Sequence, residues 1–240
     1  MITSAANPRL KLVRKLAGRR QREKLGLFVC EGEDLVEAAL DAGLEPVDAL
    51  VDAERPALAE RLPRAEAVAP ALLADVSSLA HAARVVAVFR TADLPKLERS
   101  APPAVGLALW RVADPGNVGT LVRAADAFGP AFVALSRACA DPTGAKALRA
   151  STGSIFRVPL AGFDDAPGRR VALVARGGLP LTELDLAEPT VFVLGSEREG
   201  LPDEVLARCD AQATIPVAST AESLNVAMAG TIALYERWRR

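Results

Sequence analysis

Apolar residues recur along the chain in two ways, at three- or four-residue spacing and in short unbroken runs. Their alternation predicts an α/β protein. Asn7-Pro8 reads as a cap followed by proline at the first helical position. Leu10, Val13, Leu16 and Ala17 then recur at helical spacing until Gly18 weakens the pattern. Residues 27–30, 47–51 and 84–89 read as strands, and 33–42 as a helix closed by Gly43. Segments 57–62 and 70–79 read as helical. Residues 93–103, with Pro95, Pro102 and Pro103 among mixed charges, read as a linker. Beyond it, 104–110, 131–135, 171–175 and 191–195 are apolar throughout rather than alternating, which suits a parallel sheet covered on both faces. A long helix is expected from near Ser223 to the C-terminus. The expected division is a small first domain over 1–92, the linker over 93–103 and a second domain over 104–240.

The 240 residues are 50 % hydrophobic and 25 % charged, which excludes a mainly disordered chain. The longest apolar runs, such as 104–110, fall far short of the roughly 20 residues of a membrane span. The start is polar and then basic, without the apolar segment of a secretory leader, so a cytoplasmic location is expected. Cys30, Cys139 and Cys209 are isolated, which suggests a reducing compartment and buried thiols. The single histidine, His81, rules out a multi-histidine metal site, and a solvent-facing or capping place suits it best. No metal is expected.

Charge distribution changes the picture more than the net −1 does. Residues 1–24 carry Arg9, Lys11, Arg14, Lys15, Arg19, Arg20, Arg22 and Lys24 against one acid, Glu23, a local +7 that leaves −8 for the rest. Such a stripe is either a phosphate-contacting surface, hence nucleic acid, or a solvated helix face.

Open parallel sheets bind ligands beyond the carboxyl ends of their strands. The segments there contain no GxGxxG, no P-loop and no GxSxG elbow. Three others stand out. DPGNVGTLVRAADAFG (114–129) begins with a turn and offers Asn117 as an N-cap. Val118, Leu121, Val122 and Ala125 make its buried stripe, and Arg123 points away from it, either free for chemistry or paired with Asp126. GSEREGLP (195–202) is a tight loop whose bare backbone suits close approach to a ligand, or an ordinary connection with an exposed Glu197 and a short helix from Pro202. IPVASTAESLNVAMAG (215–230) offers Ser219 and Glu222 as a capping box, with Ser223 and Asn225 early in the helix. Ala227, Ala229 and Gly230 permit close helix approach.

Together, in this order, N-x5-R, LGSE-x2-GLP and IP-x6-SLNVA resemble the three motifs of the SpoU/TrmH family of RNA ribose 2′-O-methyltransferases, part of the SPOUT superfamily. STGSIFRVP (151–159) between the first two motifs is similar to that family as well, and ITSAANPRLK (2–11) resembles the start of its small substrate-binding domain. The resemblance implies a small N-terminal α/β substrate-binding domain and a C-terminal SPOUT α/β domain with a parallel sheet and a deep trefoil knot. It implies a homodimer through the C-terminal domain, S-adenosylmethionine as cofactor and structured RNA as partner, ribosomal or else transfer RNA. Leu194, Gly195, Gly200, Ile215, Pro216, Ser223 and Leu224 would hold the cofactor. Arg123, Asn117, Glu197, Ser223 and Asn225 would be the catalytic group, with Arg123 orienting the ribose hydroxyl and stabilising the developing oxyanion, since a guanidinium stays protonated. Arg9, Lys11, Arg14, Lys15, Arg19 and Arg20 would contact RNA. Arg198 stands where members often have glycine, and would touch RNA or project into solvent. A catalytically idle RNA-binding protein of the same fold is the alternative from a different class.

Overall fold

The computed structural model describes residues 1–62, 64–79, 81–218 and 223–240. Helix α1 (Pro8–Leu16) starts where the sequence places it, with the Asn7 side chain accepting from the Arg9 N–H. A second helix, α2 (Arg19–Leu25), follows where no apolar stripe announces one. Strand β1 (Leu27–Glu31), helix α3 (Glu33–Asp41) and strand β2 (Asp48–Asp52) match the expected pattern. The expected helix at 57–62 is only a 3-10 turn, Pro56–Ala59. Strand β3 (Glu66–Val68), α4 (Pro70–Val76) and β4 (Val85–Arg90) complete the first sheet, ordered β1-β4-β2-β3. The α4 helix stops three residues short of the expected end.

The segment expected to be a linker, 93–103, is fastened to the second sheet. Leu97 donates to the Leu160 carbonyl, and the Leu160 N–H donates to the carbonyl of Pro95. After it come β5 (Val105–Leu109), α5 (Pro115–Ala127), β6 (Ala131–Leu135), α6 (Ala145–Ser151) and a short edge strand β7 (Leu160–Gly162). Strand β8 (Arg169–Leu173) begins two residues earlier than expected, because Arg169 and Arg170 pair with Thr190 and Val191. Then follow β9 (Leu179–Pro180), β10 (Thr190–Leu194), α7 (Asp203–Leu206), β11 (Ala211–Thr214) and α8 (Val226–Trp238). The second sheet is ordered β7-β6-β5-β10-β8-β11-β9, and every pairing in it is parallel. Its central strands β5 and β10 are buried at every residue, as expected of a sheet covered on both faces.

Gly119 and Gly230 let helices close on this sheet. A Cβ on Gly119 would collide with the Ala147 carbonyl of α6, and one on Gly230 with Leu121 of α5. Arg123 is exposed, as the stripe of α5 requires.

One apolar cluster joins the two sheets. Phe28 of β1 stacks on Phe89 of β4 at 5.9 Å between ring centroids, and on Phe156 of the second part at 6.3 Å. Beside it Arg22 of α2 is only 7 % exposed. Its Nε and Nη2 donate to Asp141 Oδ2 at 2.9 and 2.7 Å, and its Nη1 donates to the carbonyls of Leu16 and Ala17. Asp141 Oδ1 accepts from the N–H and hydroxyl of Thr143. A polar-looking helix is thus anchored by a buried, fully bonded ion pair.

Of two smaller expectations, one needs adjusting and one holds. Cys30 and Cys139 are buried, and burial pushes the Cys30 thiol far above its ordinary value. Cys209 is only half-buried, in the turn after α7 where it donates to the Val205 carbonyl. His81 is exposed, as a solvent-facing histidine should be.

Candidate functional site

The carboxyl ends of β8, β10 and β11 meet around one cavity of about 630 Å³. That is ample for a nucleoside-sized ligand, since such pockets run from about 300 to 1,000 Å³. Its walls come from three loops. Leu173 ends β8 and Val174 and Ala175 follow it, Leu194 ends β10 and residues 195–201 follow it, and Ile215, Val217 and 223–226 follow β11.

The loop after β10 is closed on itself. Ser196 and Gly200 exchange two backbone hydrogen bonds of 3.1 Å, with Gly200 in the left-handed region at φ 66°. A Cβ on Gly195 would overlap the Gly200 carbonyl, so only glycine permits this turn. The result is bare backbone along the cavity wall.

Three side chains tie the loops after β10 and β11 to the start of α5. Glu197 accepts from the N–H groups of Ala113 and Asp114 at 3.2 and 3.1 Å, and from Asn117 Nδ2 at 2.9 Å. Asn117 Oδ1 accepts from Asn225 Nδ2 at 3.2 Å. Asn225 Oδ1 accepts in turn from the N–H groups of Ala227 and Met228, the first free donors of α8. Partial burial pushes the Glu197 carboxyl upward, but the bonds from Asn117 and from the N–H groups of Glu197, Asp114 and Ala113 outweigh it and hold it below its ordinary value.

Two capping assignments change. The N-cap of α5 is Asp114, whose Oδ1 accepts from the Asn117 N–H at 3.0 Å, with Pro115 at the first helical position. Asn117 is thereby freed to reach Glu197. Lys146 of α6 bonds the other Asp114 oxygen at 2.6 Å, and this contact leads the factors holding the Asp114 carboxyl below its ordinary value. The cap of α8 is Asn225, and the helix begins at Val226, so Ser223 and Leu224 lie in the loop on the cavity wall rather than in the helix. The capping box of Ser219 and Glu222 lies outside the described residues.

Of the expected cofactor residues, Leu194, Gly195, Gly200, Ile215, Ser223 and Leu224 line the cavity, and Pro216 does not. Sequence reasoning missed Leu173, Val174, Ala175, Val217 and Ala229. The first three directly end a strand already recognised as buried, so the strand-end rule could have found them. Arg123 sits apart from the cavity and touches none of the three network residues. Six residues past Asn117, it lies about 9 Å along the helix and roughly 120° around it. Asp126 bonds Arg157 at 2.5 Å instead, so the expected alternative pair of Arg123 with Asp126 does not form.

The basic stripe is uneven. Arg9 faces Asp48 and Glu66 at 3.3 and 3.9 Å, and Arg14 bonds Asp75 at 2.6 Å. Arg19 bonds Glu23 at 2.7 Å, and its Nη1 and Nη2 donate to the carbonyls of Cys139 and Arg137. The Glu23 bond is the main reason the Arg19 guanidinium is raised above its ordinary value. Lys11, Lys15 and Arg20 are exposed and form no ion pair among the described residues. No cluster of His, Cys, Asp and Glu among the described residues could hold a metal ion.

Comparison with known proteins fits this geometry. Residues 104–235 match the SpoU rRNA methylase family, and residues 7–88 match the MRM3-like substrate binding domain. The chain is 35 % identical to an uncharacterised tRNA/rRNA methyltransferase of Synechocystis, over all of this chain and 93 % of that one. It is 32 % identical to the 23S rRNA (guanosine(2553)-2'-O)-methyltransferase RlmP of Bacillus subtilis, over 98 % of this chain and 97 % of that one. The AdoMet-bound rRNA methyltransferase of Sinorhizobium meliloti superposes with a TM-score of 0.86 at 30 % identity, over 99 % of this chain and 97 % of that one. The chain belongs to the SpoU rRNA methylase family.

Proposed function

We propose that this protein transfers the methyl group of S-adenosylmethionine to a ribose 2′-hydroxyl of ribosomal RNA. The observation that carries the reading is the Glu197–Asn117–Asn225 chain, which ties two of the cavity's loops, those after β10 and β11, to the start of α5 beside a bare-backbone wall. When bound, S-adenosylmethionine supplies an electrophilic sulfonium methyl. The Gly195–Gly200 turn and the Ser223–Leu224 loop would hold it through backbone groups, with Ile215 and the end of β8 as the apolar floor. The ribose oxygen must be held in line with the methyl carbon and must lose its proton as the new C–O bond forms and the S–C bond breaks. Arg123 orients that hydroxyl and stabilises the developing charge, as a fixed cation and not as a base.

Arg123 faces away from the cavity of its own chain, which favours a homodimer through the C-terminal domain in which it serves the partner's cavity. A second feature supports this. Met228, Ile232, Tyr235 and Trp238 recur at helical spacing on α8 and are 36 to 58 % exposed, an apolar stripe extended by Phe128. Residues 1–92 would form the substrate-binding domain, 93–103 the linker and 104–240 the catalytic domain, with the loops after β10 and β11 threading the trefoil knot. No helix of the described residues is long and apolar enough to cross a membrane, and a cytoplasmic place of work fits an enzyme of ribosomal RNA.

The test uses methyl-labelled S-adenosylmethionine and ribosomal RNA, followed by alkaline digestion. A 2′-O-methyl blocks cleavage of its own phosphodiester, so the label should remain in alkali-resistant dinucleotides. Label released only in mononucleotides would mean base methylation and overturn the reading. Transfer to tRNA but not to rRNA would move the substrate to the alternative.

A further inference from the structure

Only part of the basic stripe of the sequence is available to RNA: Lys11, Lys15 and Arg20 are exposed and form no ion pair among the described residues, but the stripe's other arginines are engaged. Arg9 and Arg14 on α1 are occupied by Asp48, Glu66 and Asp75 of their own domain. Arg19 and Arg22 on α2 are turned inward, onto the carbonyls of Arg137 and Cys139 and onto Asp141. Lys146 is held by Asp114, and Arg149 donates to the Ser78 hydroxyl. The Arg19 and Arg22 contacts hold α2 against the loop after β6, and that loop carries an exposed Arg137.

The same loop adjoins Arg111. The Arg111 N–H donates to Ser136 Oγ at 2.9 Å, directly after β5. Arg111 is in the left-handed region at φ 55°, which residues other than glycine adopt rarely. The turn buries Val112 completely and leaves the Arg111 side chain 58 % exposed. Its one charged neighbour among the described residues is Glu199, at 3.9 Å on the rim of the cavity. So distant and exposed a pair exchanges readily for a phosphate.

We propose that Arg20, Arg137 and Arg111 form a phosphate track that leads the RNA backbone from α2, across the strand ends of β6 and β5, to the rim of the methyl-donor cavity. The proposal rests on the ribose-methylation reading and assigns its substrate path. Arg19 and Arg22 act as positioning residues that hold α2 against the loop. Arg111 is the residue nearest the chemistry, because its neighbour Glu199 belongs to the loop that lines the cavity. The left-handed backbone gives an unusually clean probe. Arg111→Gly removes the charge at a position where glycine is the unstrained residue.

The experiment measures binding of a 23S ribosomal RNA transcript at several KCl concentrations, with S-adenosylmethionine affinity and thermal melting read on the same preparations. Each phosphate contact contributes about 0.7 to 0.9 to the slope of log K against log salt. Arg111→Gly should flatten the slope by about one such step, and Arg111→Gly with Arg137→Ala by about 1.4 to 1.8. The melting temperature should not fall in Arg111→Gly, and donor affinity should not change in either variant. Arg208→Ala, which disrupts only the Arg208–Asp164 pair, should keep the parent slope. An unchanged slope in the double variant overturns the track. So does a slope lost instead in Arg9→Ala with Arg14→Ala, which would return RNA to α1. If the parent protein binds no donor and transfers no methyl group, the ribose-methylation reading fails instead.

Discussion

The joint between the two sheets and the cavity at the end of the second one are built by opposite means. At the joint, Phe28 stacks on Phe156, and α2 is held by the Arg22–Asp141 pair, largely shielded from water with its donors matched. At the cavity, the loops are fixed by a chain of polar side chains on the surface, Glu197, Asn117 and Asn225, none of them deeply buried. The joint can be rigid because nothing has to enter it. The cavity must admit a donor and a ribose, so its walls are braced from the rim by hydrogen bonds rather than by a packed core.

If that contrast holds, breaking the joint costs the most stability. Arg22→Ala leaves Asp141 buried without its partner, and loss of one member of a buried pair costs about 3 to 5 kcal/mol. At about 2 to 4 °C per kcal/mol for a protein of this size, the melting temperature should fall by roughly 6 to 20 °C. Replacing both residues by apolar ones of similar volume should recover much of that loss. A melting temperature unmoved by Arg22→Ala would show that the joint is held by the aromatic cluster alone.

At the cavity the large effect should be on chemistry. Arg123→Ala should reduce methyl transfer by about 10²- to 10³-fold, the usual consequence of removing one stabiliser of a developing oxyanion. Because Arg123 does not line the cavity, donor affinity and melting should stay at parent values. Single-turnover transfer beside calorimetry separates the two, and normal turnover would remove Arg123 from the mechanism. Gly195→Ala is the intermediate case. Its Cβ meets backbone of the same turn, so about 1 to 3 kcal/mol of overpacking strain should appear as lower melting and weaker donor binding.

Much of this was legible in the chain. The unbroken apolar runs marked β5, β6 and β10, and the helical periods marked α1, α3 and α5. What escaped was held by contacts distant in sequence. RRQREKL (19–25) has no apolar stripe, and α2 is anchored by a charge that a hydrophobic pattern counts as polar. Strands β3, β7 and β9 are two or three residues long and exist through their pairing partners. The motifs brought Asn117, Glu197 and Asn225 to notice, but not the bonds among them. Nor could the pattern show that Asp114 and Asn225 take the caps, because each of these loops offers several capping residues.

The smallest expected effect concerns pH. The folded-state carboxyl of Glu197 lies below its unfolded value, so its contribution is present above the ordinary range near about 4.3 and is lost as pH falls through the lowered value. Asp114 is shifted the same way and adds to the acid loss. Glu197→Gln should therefore flatten part of the fall in melting temperature on the acid side, leaving the share of Asp114 and of the other lowered carboxyls, Asp126 and Glu236. An identical acid profile in Glu197→Gln would mean that the brace contributes nothing to stability.

The central claim is that the loops after β10 and β11, tied together through Asn117, make with the end of β8 a site for a methyl donor. Titration calorimetry with S-adenosylmethionine tests it most directly, on the parent protein and on Asn225→Ala. The parent should bind one donor per chain, and Asn225→Ala should bind more weakly because the loop before α8 loses both its cap and its link to Asn117. A parent protein that gives no binding heat at several temperatures, and no donor-dependent rise in melting temperature, would contradict the account.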